Sequence, residues 1–259
     1  MKRRDVLAAS CLAGLAPLAR AAGAAQAAPP KKQLLELRLY QAKSDAQRAR
    51  LEEFLAKAAI PALNRAGVAP VGVFEFADGK TPNLYVLLPH ESCESVVALA
   101  ARLLGDEAFL KEGAAWLDLP RGDPLYERIE SMLLLGFDQA PRVEPPERKP
   151  TRLFQLRIYE SHSLKKARKK VEMFNAGGEI ALFRRTGMNP LFFGEAIVSP
   201  RLPHLAYMLT FESKDAQKAA WAAFMGHAEW QEMSGDPQYR DTVSRITNIE
   251  LLPAACSQI

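Results

Sequence analysis

Leu35-Glu36-Leu37-Arg38-Leu39-Tyr40 returns 119 residues later as Phe154-Gln155-Leu156-Arg157-Ile158-Tyr159. The echo continues downstream. Gly67-Val68-Ala69-Pro70 matches Gly187-Met188-Asn189-Pro190, and Glu75 matches Glu195. Pro82-Asn83-Leu84 matches Pro203-His204-Leu205, and Glu91-Ser92 matches Glu212-Ser213. The offset grows from 119 through 120 to 121, as small insertions in a tandem duplication produce. Such self-similarity constrains the architecture before any local element is assigned.

Within each copy the hydrophobic period changes in a fixed order. Leu35, Leu37 and Leu39 alternate with Glu36, Arg38 and Tyr40, which is the period of a two-faced strand. Ser44 with Gln47 predicts a helix start. Leu51, Phe54, Leu55, Ala58 and Ala62 form a helical stripe, Pro61 bends it, and Gly67 stops it. Strands are predicted at Val71–Phe76 and Leu84–Leu88, then a helix capped by Ser92, a short helix over Phe109–Trp116, and a closing strand within Ile129–Phe137. The second copy reads the same way: a strand at Phe154–Tyr159, one helix from Ser163 to Arg185, strands at Leu191–Ala196 and Leu205–Phe211, a helix after Ser213, and a strand near Ile246–Leu252. The order β-α-β-β-α-β specifies a ferredoxin-like α+β unit. Two such units at 33–140 and 151–259, joined by the proline-rich linker 141–150, are expected to pack sheet to sheet as an intrachain dimeric α/β barrel. Leu35, Leu37 and Leu39 are expected under the helices. Glu36, Arg38 and Tyr40, with Gln155, Arg157 and Tyr159, would then line a polar barrel interior.

The first 27 residues read as an export signal. Lys2-Arg3-Arg4 is a basic start, Val6–Ala19 is apolar and small, and Ala25-Gln26-Ala27 is a cleavage site. The Arg3-Arg4 pair suits the twin-arginine route, so the expected address is periplasmic or secreted, with no stable membrane insertion after cleavage. The whole chain has a net charge of +4. Removing the signal leaves about +1, too little to suggest a nucleic-acid partner. Cys93 and Cys256 remain, without a ligand or redox spacing.

The residues Glu36-Leu37-Arg38-Leu39-Tyr40, Gly67 and Glu91-Ser92 resemble the NIPSNAP family. The second unit resembles it more closely, through Gln155-Leu156-Arg157-Ile158-Tyr159, Gly187, Tyr207, Phe211-Glu212-Ser213, Trp221 and Glu229-Trp230. The resemblance implies two NIPSNAP-like units, the dimeric α/β barrel and a small-molecule pocket, but no single reaction. Relatives in that superfamily include cofactor-free monooxygenases, muconolactone isomerases and haem-handling proteins. Many family members carry His on the third strand, where this chain has Val86 and Tyr207, so chemistry that relies on that histidine is not carried over.

The candidate ligand-binding residues are Arg38, Tyr40, Arg157 and Tyr159. A guanidinium forks onto an anion and a phenol orients an oxygen; the alternative for the arginines is internal pairing with Glu36, Glu75 or Glu195. Glu75 and Glu195 are weak candidates for a catalytic base, with plain salt bridges as the competing reading. His90, His162, His204 and His227 form no metal motif, and no cofactor is implied. Trp221, Phe224 and Trp230 read as core at helical spacing, and Lys165, Lys166, Arg168, Lys169 and Lys170 as a solvated helix face. The resulting expectation is a protein that binds a small oxygenated or anionic organic molecule. A cofactor-free oxygenase or isomerase using the same pocket, and a scaffold without ligand, stand as alternatives. The internal pairing of units makes a monomer sufficient.

Overall fold

Two strands, Leu84–His90 and His204–Phe211, are buried on both faces and demand cover on both sides, and the chain meets that demand by closing a barrel. The computed structural model describes residues 31–259, which form one compact body; the export-signal reading lies outside the described residues. The first half runs β1 (Leu34–Gln41), α1 (Asp45–Phe54), a π-helical turn (Leu55–Ala59), α2 (Ile60–Arg65), β2 (Gly72–Phe76), β3 (Leu84–His90), α3 (Cys93–Leu104), α4 (Glu107–Leu117) and β4 (Arg128–Gly136). The second runs β5 (Leu153–Glu160), α5 (Leu164–Phe174), α6 (Glu179–Arg185), β6 (Asn189–Val198), β7 (His204–Phe211), α7 (Lys214–Gly226), α8 (Ala228–Gly235), a short 3-10 turn (Pro237–Tyr239) and β8 (Arg245–Pro253). The strands close in the order β1-β3-β2-β8-β5-β7-β6-β4. Each half is therefore a ferredoxin-like sheet, and the halves join where β2 meets β8 and β4 meets β6.

Local chemistry sets the element ends. Ser44 and Ser163 cap α1 and α5 by accepting hydrogen bonds from Gln47 N and Lys166 N. Gly67 and Gly187 end the helical segments at φ +82° and +83°, a backbone region open to glycine without penalty. Pro61 falls just after the π-turn, where Ile60 N bonds back to Leu55 O, widening the helix ahead of a residue that cannot donate. The second unit departs from the single helix expected over Ser163–Arg185. It breaks at Asn175–Gly178, with Gly178 at φ +90°, because a Gly-Gly pair favours a left-handed turn over continued helix.

The expectation of a polar barrel interior is overturned. Leu35 and Leu37 point into the barrel, joined there by Phe74, Leu134, Phe154, Leu156, Phe192 and Met208 in one buried apolar cluster. Leu39 packs against the same cluster. The physical reason is that a closed barrel shuts its interior off on every side, and unpaired polar groups are costly there. The polar alternates of β1 and β5 turn outward instead, beneath the helices. Tyr40 belongs to the sheet–helix cluster of the first unit and Tyr159 to that of the second.

The segment 141–150 is a docked strap. Gln33 N donates to Pro141 O, Val143 N to Gln33 Oε1, and Glu144 N to Leu191 O. Val143 packs on the barrel core. Among the described residues no helix is long and apolar enough to cross a membrane. Cys93 is exposed and Cys256 half-buried, both as free thiols.

A candidate ligand cavity under the first helix layer

Because Glu36, Arg38 and Tyr40 face the helices, the chemistry of β1 lies at the base of a space between sheet and helix layer. Arg38 pairs with Val86 on β3 and with Ser131 on β4. Above these strands lies a cavity of about 400 Å³, within the range of about 300–1,000 Å³ common for small-molecule sites. Its base includes Arg38, Tyr40, Val86 and Leu88; Leu55, Ala59 and Leu63 form one wall, and Phe54, Phe109, Trp116 and Tyr126 supply aromatic surface. Leu55 and Ala59 belong to the π-turn, a feature that recurs at functional sites.

The outer wall is held by polar ties on its own far side. Asp106 caps α4 by accepting from Phe109 N and also binds Arg65 Nε at 2.8 Å, fixing α4 to the end of α2. Phe109 and Trp116 each lie 6.0 Å, ring to ring, from Phe54. The loop after α4 is tied to α1 by Gln47 Nε2 donating to Pro124 O at 2.7 Å and by Arg50 donating to Asp123 at 2.8 Å. That loop delivers Tyr126 edge-on to Tyr40, with ring centroids 5.3 Å apart.

Arg38 and Glu36 form a forked pair. Nε donates to Glu36 Oε1 at 2.7 Å and Nη2 to Oε2 at 2.9 Å, which leaves Nη1 outside the fork. Ser131 Oγ donates to Glu36 Oε1 at 2.9 Å. The buried His90 places Nε2 3.5 Å from Glu36 Oε2, a long contact rather than a full hydrogen bond, while Nδ1 lies 3.0 Å from Ser95 Oγ. Burial pushes the Glu36 carboxyl upward, but His90, Arg38 and Ser131 together outweigh it and hold the pKa at about 2. Burial likewise raises the Tyr40 phenol, with Arg38 opposing only in part, so Tyr40 is a neutral donor at physiological pH. Among the described residues, Arg38 is the only charged one lining the cavity, and Glu36 balances it.

The second unit places matched side chains in the same space and fills it. Arg157 pairs with Tyr207 on β7 as Arg38 does with Val86 on β3. Phe193 pairs with Tyr207 as Val73 does with Val86. Counting from the helix caps, Phe174 stands where the first unit has Leu55. Counting back from the glycine stops, Phe183 stands where it has Leu63. Phe174, Phe183, Phe193 and Tyr207 are fully buried and lie with their ring centroids 5.0–6.1 Å apart. Tyr207 donates its hydroxyl to Tyr159 at 2.9 Å. Arg157 lies 4.6 Å from the Trp221 ring centroid, and its buried Nε has no partner. Gln155 takes the place of Glu36, accepting from Trp221 Nε1 and donating to Asn248.

Glu75 is paired with Arg48 at 3.3 Å and Glu195 with Arg168 at 3.2 Å. Each is about a third exposed and neither lines the first-unit cavity, so the geometry supplies no catalytic base there. Arg157 and Tyr159 are packed within the second helix layer and do not join Arg38 and Tyr40 in one chamber. Lys170 departs from the expected solvated face: it is buried and bonds Glu179 at 2.8 Å, with its ammonium 4.5 Å from the Phe174 ring centroid. His204 is buried rather than solvated, with Nδ1 2.9 Å from Arg201 O. Sequence reasoning missed the wall residues Phe109, Trp116 and Tyr126 as site residues. The bulk difference between Val86 and Tyr207 was the available signal for an open and a closed unit.

Residues 154–258 match the NIPSNAP family model. That NIPSNAP match spans the second unit from β5 through β8. No curated protein sequence matches the chain. Among solved structures, a provisionally named monooxygenase from Lactobacillus acidophilus aligns with a TM-score of 0.58 at 10% identity, covering 86% of this chain and 94% of that one. A provisionally named monooxygenase from Fusobacterium nucleatum gives 0.54 at 10% identity, covering 86% and 93%. A NIPSNAP-like domain protein from Burkholderia xenovorans aligns at 22% identity over 41% of this chain and 89% of that one, with a TM-score of 0.37. The full-length alignments are likenesses of fold, the dimeric α/β barrel.

Proposed function

We propose that this protein binds a small, largely apolar organic molecule carrying an oxygen function, in the cavity between the first sheet and its helices. Arg38 and Tyr40 meet the oxygen, and Phe54, Trp116 and Tyr126 cover the apolar body. The observation that carries the reading is the contrast between units: matched register positions hold Val86 over an open space and Tyr207 inside a filled one. The first unit is read here as a diverged NIPSNAP-like copy that keeps the pocket, and the second as the copy that gives it up for core. Export by the twin-arginine route belongs to the same proposal.

Binding is favoured over acid–base catalysis because, among the described residues, the lining includes no carboxylate or histidine, which an enolising or proton-abstracting enzyme needs within hydrogen-bond reach of its substrate. The test is native mass spectrometry of protein expressed with its leader. A retained organic molecule present in the wild type and absent from Val86→Tyr supports the reading. A molecule retained equally by both places the site elsewhere.

A further inference from the structure

The cavity's charge balance narrows what it can hold. Arg38 brings one positive charge to the lining, and Glu36, two residues before it on the same face of β1, cancels that charge through a two-point fork. The rest of the lining is apolar or aromatic, apart from the phenols Tyr40 and Tyr126. A ligand carboxylate would bring a second negative charge beside Glu36 with no second cation to meet it, and an unpaired ion in an apolar enclosure is strongly disfavoured. What the base does offer is donors: the N–H groups of Arg38 Nη1, outside the Glu36 fork, and the hydroxyl of Tyr40. Two donors at the base, one of them on a charge-balanced pair, match an oxygen that accepts and carries no formal charge.

We infer that the ligand is a neutral planar aromatic carbonyl compound, its oxygen accepting from Arg38 and Tyr40 and its ring lying among Phe54, Trp116 and Tyr126. This rests on the binding site proposed above and goes further by excluding anions. Glu36 is then the specificity-determining residue, although it does not touch the ligand. In the second unit Gln155 occupies the matching position beside Arg157, in a fully packed layer.

The test compares three probes of similar size by isothermal titration with the purified full-length protein: 2-acetylnaphthalene, 2-naphthoate and 2-ethylnaphthalene. The ketone is expected to bind at least about ten-fold tighter than either the anion or the hydrocarbon, the penalty for mismatched polar groups in a site built to hydrogen-bond. In Glu36→Gln the order of ketone and naphthoate is expected to reverse, because Arg38 is then uncompensated. Naphthoate binding the wild type as tightly as the ketone, with both lost in Val86→Tyr, would overturn the ligand class and leave the cavity reading standing. Equal binding of ketone and hydrocarbon would overturn the carbonyl assignment. Failure of every probe to bind, or binding indifferent to Val86→Tyr, would overturn the cavity reading and this inference with it. The wild-type comparison needs no variant to fold.

Discussion

Val86 and Tyr207 hold the same register position, each opposite the arginine of its unit's first strand, Arg38 and Arg157. One is a small aliphatic residue beside an open cavity. The other is a fully buried ring hydrogen-bonded to Tyr159. The two halves share one strand order and differ in what fills the layer between sheet and helices, so a difference of side-chain volume separates an open cavity from a filled layer.

Exchanging that volume is the first prediction. Val86→Tyr is expected to reduce probe affinity at least about ten-fold, since each lost 1.4 kcal/mol is one decade, while leaving the fold intact. Titration calorimetry together with a thermal melt reads both. Undiminished binding with a native melt would show that the cavity is not the site.

The reverse exchange tests the filled unit. Tyr207→Val removes a ring packed against Phe193, Phe174 and Phe183, and a large-to-small change in a rigid core costs about 3–5 kcal/mol. Urea denaturation is expected to show that loss. A change below about 1 kcal/mol would mean that the layer collapses readily around the gap, against the rigid packing argued here.

The buried Lys170–Glu179 pair makes a third prediction. Burial raises the Glu179 carboxyl despite Lys170, the charge of Lys170 and its hydrogen bond opposing only in part. Lys170→Met alone strands Glu179 and is expected to cost about 3–5 kcal/mol, whereas Lys170→Met with Glu179→Leu is expected to recover most of it, as apolar replacement of a buried pair does. The first unit carries Leu51 at the position matching Lys170, and Leu51 is fully buried. A double variant no better than the single one would contradict this reading.

Glu36 gives a pH dependence with a defined sign. Its folded pKa, about 2, is depressed from 4.5, so its contribution is fully present above 4.5 and is lost as pH falls toward 2. The size is on the order of 3 kcal/mol. Unfolding midpoints for wild type and Glu36→Gln, measured between pH 6 and pH 2 (about the window of that titration), are expected to converge on acidification. Parallel curves would deny Glu36 that role.

The sequence made the scaffold legible because backbone constraints act locally. Ser44 and Ser163 cap helices, Gly67 and Gly187 stop them at positive φ, and alternating residues mark strands. The orientation of β1 and β5 was not legible, since period two identifies two faces without saying which meets the helices when both are covered. β3 and β7, buried along their whole lengths, carry that ambiguity openly. The cavity was only half legible. The repeat points to Arg38 and Tyr40, but in the wrong compartment, facing Arg157 and Tyr159 across a barrel whose interior is apolar. The aromatic wall was missed because Phe109, Trp116 and Tyr126 reach the site only through α4 and the loop that Gln47 and Arg50 tie back to α1.

The most direct measurement is a crystal structure of the protein with 2-acetylnaphthalene bound. The account predicts one molecule between β1 and α4, its ketone oxygen within hydrogen-bond reach of Arg38 Nη1 and its rings beside Trp116. Density inside the barrel among Leu37, Phe154 and Phe192, or under the second helix layer beside Tyr207, would contradict it.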